Sequence, residues 1–264
     1  WRQIEAERVT ATLLVPAMMT AMAQVPERES CSHASLRWAM AGAAPVPVPL
    51  IEAYAAMGIE VQQVYGLTES CGPACMITGE EAIRRIGSAG KGFLHTEVRV
   101  VDQRGRDIDV GETGEIIVAA DHVMIGYWNN PEATAETIRD GWLHTGDAAR
   151  VDEDGFIYIV DRIKDMIISG GENIYPAEVE EAIMSHPAVI EAGVIGRADD
   201  KWGEVPVAFV VSADETLTGA GILAFLDGKI ARYKMPREAI FVEALPRTPS
   251  GKIMKHVLRD IGTG

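Results

Sequence analysis

Short apolar runs and helix-like repeats alternate through the first part of the chain. The apolar run 9–15 predicts a strand, and the Met-rich segment from Pro16 predicts a helix. A second helix is predicted because apolar side chains recur at helical spacing at Leu50, Ile51, Tyr54 and Met57. Gly58 lies where a helix C′ glycine is expected, and 59–64 returns to a strand pattern. This βαβ order predicts a parallel sheet that binds ligands near the carboxyl ends of its strands.

The pattern becomes rich in short β-type runs after residue 85. These runs lie at Glu97–Asp102, Gly114–Ala120 and Phe156–Val160. Turn-forming clusters such as 152–155 separate them. An antiparallel sheet or roll is predicted for this region.

A third pattern, in which strands and helices alternate, begins after Asp161. Strands are predicted at 166–168, 189–195 and 205–211. Pro176 suits the first turn of a helix whose inner face carries Val179 and Ile183. Another helical face combines Ile222, Phe225, Leu226 and Ile230. The fold class predicted is α/β followed by α+β, with one domain at 1–162 and a smaller one at 163–264.

Composition narrows the possible functions. The 264 residues carry a net charge of −15, which argues against nucleic acid as a partner because that needs a basic surface. No apolar run reaches the roughly 18 residues of a transmembrane segment. Three cysteines cannot all pair, so a reducing compartment, the cytoplasm, is expected. Residue 1 is Trp, and we expect the chain to begin inside a longer protein.

Two common site motifs are not matched. Gly251 and Lys252 resemble the end of a phosphate-binding P-loop, but Pro246 and Ile253 stand where that motif needs Gly and Ser or Thr. Zinc is disfavoured because Cys71 and Cys75 lack a second ligand pair.

Four other segments carry side chains suited to nucleotide chemistry. Residues 64–70 combine an aromatic ring, a glycine, a hydroxyl and a carboxylate, which could stack a base, admit a phosphate and hold Mg²⁺. Residues 141–147 end in the carboxylate of Asp147, predicted to follow a tight turn, which could accept hydrogen bonds from both ribose hydroxyls. The charged segment 161–176 and the basic segment 246–253 complete the set. Taken singly, they could also be a strand-to-loop turn, ordinary turn chemistry, an interdomain linker and a flexible tail.

Together the four segments resemble the adenylate-forming enzyme superfamily, which includes acyl-CoA synthetases, over about residues 9–260. The segments Tyr65–Cys71 and Asp161–Asn173 are most similar to bacterial fatty-acid–CoA ligases. The resemblance implies that 1–162 is the C-terminal portion of a large AMP-binding domain and 163–264 a small mobile domain. The family's Ser/Thr/Gly-rich phosphate loop has no counterpart in this sequence. We therefore expect the C-terminal half of an enzyme, inactive alone.

The family reaction has two steps, and the resemblance implies ATP, Mg²⁺ and coenzyme A. A carboxylic acid, here expected to be a fatty acid, is first adenylated by ATP and then transferred to coenzyme A. The resemblance assigns nucleotide-binding roles to Gly42, Ala43, Ala44, Tyr65, Gly66, Thr68, Asp147 and Arg162. Thr68 would bind the α-phosphate, Glu69 would coordinate Mg²⁺, and Lys252 would bridge the carboxylate and the α-phosphate. Ala43 departs from the motif, which usually has a second glycine there.

The second step implies movement of the small domain about a hinge at Lys164. The resemblance places Ser169, Gly170, Gly171 and Trp202 along the coenzyme A path, with Tyr233, Lys234 and Arg237 at its nucleotide end. Two alternatives stay open. The chain could be a non-catalytic module that binds AMP or a partner, or part of an adenylating enzyme that loads a carrier protein.

Overall fold

Two structural units, Trp1–Ile159 and Val160–Gly264, divide the computed structural model of the chain. The division falls three residues before the boundary predicted from the sequence. The structure describes residues 1–42, 46, 48–85, 87–248 and 252–261. Ala43 and Ala44, two of the residues predicted to bind the nucleotide, lie outside the described residues.

The first unit begins with a sheet of order β1-β2-β3-β4-β5. Its strands are Ala11–Leu14 (β1), Trp38–Ala41 (β2), Glu60–Leu67 (β3), Gly72–Ile77 (β4) and Lys91–Gly92 (β5). The helices of this region are Arg2–Glu7 (α1), Pro16–Gln24 (α2), Glu27–Ser30 (α3), Val48–Ala56 (α4) and Gly79–Arg84 (α5). Strands β1, β2 and β3 are parallel, whereas β3, β4 and β5 pair antiparallel.

The parallel βαβ unit predicted from the sequence is confirmed in β2, α4 and β3. Gly58, just beyond α4, has a φ of +78°, a conformation that favours glycine. The core is continuous across the helices, since the fully buried Tyr54 of α4 donates its hydroxyl to the carbonyl of Met19 in α2 at 3.0 Å.

The second sheet of this unit has order β10-β9-β7-β6, with β8 paired to β9. Its pairs β6–β7, β7–β9 and β8–β9 are antiparallel, as predicted. Its strands are Glu97–Val101 (β6), Gly114–Ala119 (β7), Ile138–Arg139 (β8), Trp142–Val151 (β9) and Ile157–Arg162 (β10), with the helix Pro131–Thr137 (α6) before β8. Alternate apolar side chains of these strands, among them Val100, Ile116, Val118 and Leu143, form its core.

The second unit is an α+β domain, as predicted. Its strands are Ile167–Ser169 (β11), Glu172–Ile174 (β12), Val189–Asp199 (β13), Gly203–Ser212 (β14) and Glu238–Phe241 (β15). Its helices are Pro176–Met184 (α7), Gly219–Leu226 (α8) and Lys255–Ile261 (α9). The sheet order is β12-β11-β14-β13, and β15 lies parallel to β14.

Helix periodicity predicted α7 well and α8 only in part. Pro176 opens α7, and Val179 and Ile183 are buried on its inner face. The predicted extension of α8 to Ile230 is wrong, because α8 ends at Leu226 and Gly228 has a φ of +76° that stops the helix. Ile230 still packs against the same core from the following loop. No helix in the described ranges is long and apolar enough to cross a membrane.

Candidate active site

Residues 64–70 were predicted to form a turn from strand to loop, but residues 65–67 belong to the strand β3. Tyr65, Gly66 and Leu67 continue β3 because β4 folds back and pairs with them. A Cβ on Gly66 would lie 2.3 Å from the carbonyl oxygen of Gly72, so the close approach of these strands requires glycine. The ladder thus fixes Tyr65 at the end of the sheet that ligands occupy in folds of this type.

Ser70 builds the turn that follows β3. Residues Thr68–Ser70 form one turn of 3₁₀ helix, and the Ser70 side chain is fully buried. Its Oγ accepts from the Leu67 N–H at 3.1 Å and donates to the Gly72 carbonyl at 2.6 Å. The turn leaves Thr68 exposed and Glu69 partly exposed. Sequence analysis missed this role of Ser70, since a serine in a loop gives no sign that it will be buried.

A second loop holds Glu69 in place. The hydroxyl of Tyr127 donates to Glu69 Oε1 at 2.8 Å, and the Met124 N–H donates to the Glu69 carbonyl at 2.8 Å. His122 Nδ1 lies 2.6 Å from the carbonyl oxygen of Ser70. The bond to Glu69 raises the pKa of Tyr127, since it favours the protonated phenol. The orientation of the Glu69 carboxylate therefore depends on a loop that sequence analysis did not assign to the site.

Asp147 was predicted to follow a tight turn and instead lies inside β9. Glu115 pairs with Ala148 and Ile117 pairs with His144, so three residues of β9 face one residue of β7. This bulge needs Gly146, whose φ is +71°. It turns Asp147 inward, where the residue is only 8% exposed.

Tyr65 and Asp147 meet across the two sheets of the first unit. The Tyr65 hydroxyl donates to Asp147 Oδ2 at 2.7 Å. Burial, followed by the negative charge of Asp147, raises the pKa of Tyr65 above its ordinary value. Gly42 directly follows β2, and a Cβ added to it would be 2.9 Å from Cγ2 of Val64, the residue before Tyr65. The structure thus brings together Tyr65 and Asp147, which sequence analysis selected from two segments 82 positions apart.

The chemistry of this cluster fits a magnesium nucleotide. Mg²⁺ is commonly bound through one or two carboxylates and the phosphates of its substrate, and Glu69 offers one such carboxylate. Among the described residues, no three His, Cys, Asp or Glu side chains gather into a dedicated metal site.

The second unit holds the predicted hinge and its neighbours. Arg162 ends β10 and is exposed, and Lys164 is exposed in the 3₁₀ turn Ile163–Asp165. Arg259 of α9 donates to Asp165 Oδ1 at 3.0 Å, and the Asp165 side chain is 14% exposed. The 3₁₀ turn that contains Lys164 is thereby hydrogen-bonded to α9.

Four predicted residues of the coenzyme A path, Ser169, Gly170, Gly171 and Trp202, also lie together within this unit. Gly170 and Gly171 form the turn between β11 and β12, with φ values of +60° and +88°. The Gly170 N–H donates to the carbonyl of Trp202 at 2.8 Å, and Ser169 pairs with Gly203. A Cβ on Gly170 would lie 2.7 Å from Trp202 Cε3, so the indole covers this turn.

Lys252 lies in a short antiparallel connection before α9. Its N–H donates to Thr248 Oγ1 at 3.1 Å, and the Thr248 N–H donates to its carbonyl at 2.8 Å. The Lys252 residue is exposed. Lys234 differs, since its ammonium lies 2.6 Å from the carboxylate of Glu178 and is therefore engaged within the unit.

Comparison with known proteins identifies the family of the chain. The profile of the AMP-binding enzyme family matches residues 1–128, and that of the AMP-binding enzyme C-terminal domain matches residues 178–252. A long-chain-fatty-acid–CoA ligase, FadD13 of Mycobacterium tuberculosis, is 45% identical over 260 residues, which are 98% of this chain and 52% of that protein. A feruloyl-CoA synthase of an Amycolatopsis species is 46% identical over 257 residues, 97% of this chain and 52% of that protein.

Solved structures agree with these relatives. The O-succinylbenzoate coenzyme A synthetase of Bacillus subtilis, in complex with ATP and magnesium ion, matches with a TM-score of 0.89 at 37% identity. That match covers 98% of this chain and 53% of the solved one. The chain therefore belongs to the adenylate-forming, AMP-binding enzyme superfamily. It spans about half the length of the curated relatives it matches.

Proposed function

We propose that the chain provides the C-terminal half of an acyl-CoA synthetase. The observation that carries this proposal is the 2.7 Å hydrogen bond between Tyr65 and Asp147, which joins the two segments assigned to AMP. One nucleotide can be held by both only if they are neighbours. Sequence similarity to three CoA ligases that act on different acids supports the same reaction class.

The first unit binds the nucleotide in this proposal. The ring of Tyr65 faces adenine, and Asp147 accepts hydrogen bonds from the ribose hydroxyls, each contributing about 1.5–3 kcal/mol as a charge-assisted bond. The exposed hydroxyl of Thr68 binds the α-phosphate, and Glu69 holds Mg²⁺ with help from Tyr127. When bound, Mg²⁺ neutralises phosphate charge and makes pyrophosphate a better leaving group.

In this proposal, the second unit supplies the positive charge of Lys252 for adenylation and withdraws it before thioester formation. The ammonium of Lys252 pairs with the substrate carboxylate and the α-phosphate, where a compact cation offsets the repulsion between two anions. Rotation about Lys164 then removes Lys252 and brings the turn Ser169–Gly171, covered by Trp202, to the thiol of coenzyme A.

The substrate is a carboxylic acid, and we propose a fatty acid within that class. The 45% identity to a long-chain-fatty-acid–CoA ligase supports this choice, although similar identity to a feruloyl-CoA synthase keeps aromatic acids in the test. The cytoplasm is the proposed compartment, supported by the three cysteines, all of which are free thiols.

The test uses the product of the complete open reading frame that encodes the chain. It is incubated with Mg·ATP, coenzyme A and a panel of short, medium and long fatty acids and aromatic acids, and AMP and thioester are measured. We expect both products in equal amounts with one class of acid. Acyl-adenylate that forms without any coenzyme A thioester would support the carrier-loading alternative. AMP binding without any turnover would support the non-catalytic module.

The hinge has its own test. Lys164→Pro should slow thioester formation from supplied acyl-AMP far more than adenylation, because proline restricts the backbone rotation. Glu215→Pro serves as the control, because Glu215 is the second residue of the exposed turn 214–217 of the same unit, a position that accepts proline. An unchanged ratio of the two half-reaction rates would exclude this hinge.

A further inference from the structure

The bulge that carries Asp147 leaves backbone groups without partners in the sheet. Three residues of β9, at 145–147, face Ile116 alone in β7. A bulge of this kind interrupts the ladder, and buried N–H groups that lose ladder partners must find others. In this bulge, the N–H groups of Gly146 and Asp147 donate to side chains.

Glu115 accepts hydrogen bonds from residues of β9 at the bulge with both of its carboxylate oxygens. Its Oε1 accepts from the Gly146 N–H at 3.0 Å. Its Oε2 lies 2.8 Å from His144 Nδ1, which carries the hydrogen because a carboxylate only accepts. Arg139 Nη2 adds a positive charge 3.6 Å from the same oxygen. One side chain on β7 therefore holds two of the three residues that precede Asp147.

Thr145 completes the restraint. Its Oγ1 donates to the carbonyl of Ile116 at 2.8 Å and accepts from the N–H of Asp147 at 3.1 Å. The backbone of Asp147 is thus fixed from one side by Thr145 and, through Gly146, from the other by Glu115. The Glu115 side chain is 20% exposed, so these bonds are only partly open to competition from water.

We propose that Glu115 is a positioning residue that fixes Asp147 for the ribose hydroxyls without touching the nucleotide. This rests on the proposed role of Asp147 in nucleotide binding. A carboxylate that accepts from two adjacent hydroxyls needs one orientation, and a displacement of about 1 Å can cost up to a hundredfold in such sites. Loss of Glu115 loosens the bulge and lets the Asp147 carboxylate shift about its remaining hydrogen bond with Tyr65, while the adenine and phosphate contacts stay.

The experiment separates ribose recognition from general loss of binding. Dissociation constants of AMP and of 2′,3′-dideoxyadenosine 5′-monophosphate are measured by calorimetry on the product of the complete open reading frame. The wild type should prefer AMP, and Asp147→Ala should abolish the preference. Glu115→Ala should lower the preference about tenfold through weaker AMP binding, with little change for the dideoxy compound.

Two further variants serve as controls for the effect of Glu115→Ala. Glu115→Gln keeps an acceptor for the Gly146 N–H, and its amide can donate to the other tautomer of His144, so it should restore most of the preference. Glu97→Ala removes an exposed carboxylate from β6 of the same sheet and should change neither constant.

Each outcome decides something. Equal loss of affinity for both ligands in Glu115→Ala, or a preference as large as in the wild type, would overturn the positioning role while leaving the proposed function intact. A wild type that binds both ligands equally well would instead overturn the assignment of Asp147 to ribose, and the proposed function with it.

Discussion

Replacing Tyr65 by phenylalanine removes one hydroxyl from the contact that joins the two nucleotide-binding segments and leaves the ring in place. The lost bond spans 2.7 Å, and its acceptor, Asp147, is only 8% exposed. A hydrogen bond to a charged group contributes about 1.5–3 kcal/mol when the site is shielded from water. We expect the free energy of unfolding of the first unit to fall by that amount.

The chain contains a matched control for this substitution. Tyr158 also donates its hydroxyl to an aspartate, but the bond to Asp152 is 3.3 Å long and the acceptor side chain is 25% exposed. Tyr158→Phe should cost less than about 1 kcal/mol, because a long and solvated hydrogen bond contributes little. Urea unfolding followed by fluorescence suits the comparison, since four of the five tryptophans belong to the first unit.

A double-mutant cycle attributes the effect to the contact itself. Tyr65→Phe is combined with Asp147→Asn, and the interaction energy between the two changes is measured. Groups in direct contact couple by about 0.5–3 kcal/mol, whereas independent sites add to within about 0.5 kcal/mol. Additive losses, or equal losses from Tyr65→Phe and Tyr158→Phe, would refute the importance we give to this contact.

The same residue predicts a dependence on alkaline pH. The pKa of Tyr65 is raised in the folded chain, so above the unfolded value of about 10 the folded state retains a proton that the unfolded state releases. Stability is therefore full below about pH 10 and declines as the pH rises further. Tyr54, whose pKa burial raises to about 12, adds to the decline. Unfolding followed by circular dichroism between pH 9 and 12 should show that stability declines less steeply with pH in Tyr65→Phe than in the wild type. An identical decline in the two proteins would contradict the raised pKa of Tyr65.

Three other predictions concern separate parts of the chain. Lys252→Ala in the product of the complete open reading frame should abolish adenylation and spare thioester formation from supplied acyl-AMP, and equal loss in both half-reactions would count against it. Gly170→Ala should destabilise the second unit by more than about 1 kcal/mol in thermal unfolding, because it combines left-handed backbone with a 2.7 Å clash against an indole. Gly228→Ala, with a similar φ but open space around it, should cost less. Iodoacetamide at pH 8 should label the exposed Cys71 and not Cys75, whose burial raises its pKa to about 12; mass spectrometry that finds modified Cys75 in the native chain would contradict this.

Local sequence signals were sufficient for most elements. Periodic apolar positions and helix-boundary residues predicted α4 with Gly58 beyond it, and α7 with Pro176 at its start, because such patterns depend on neighbours a few positions away. They failed at Ile230, since an apolar residue can join a core from a loop as easily as from a helix. The periodicity of 3.6 residues cannot tell these cases apart.

The candidate site, like the fold, was predicted from the sequence only in part. Residue type and resemblance to a family selected Tyr65, Glu69 and Asp147 from the sequence as candidates for nucleotide chemistry. The bulge that turns Asp147 inward, and the Glu115 carboxylate that holds it, arise from pairing between β7 and β9, whose partners lie about thirty residues apart. The sequence by itself therefore determined which groups are available for chemistry, and tertiary structure alone decided which of them meet. The physical reason is that strand register and burial are set by contacts over the whole fold, which no local pattern contains.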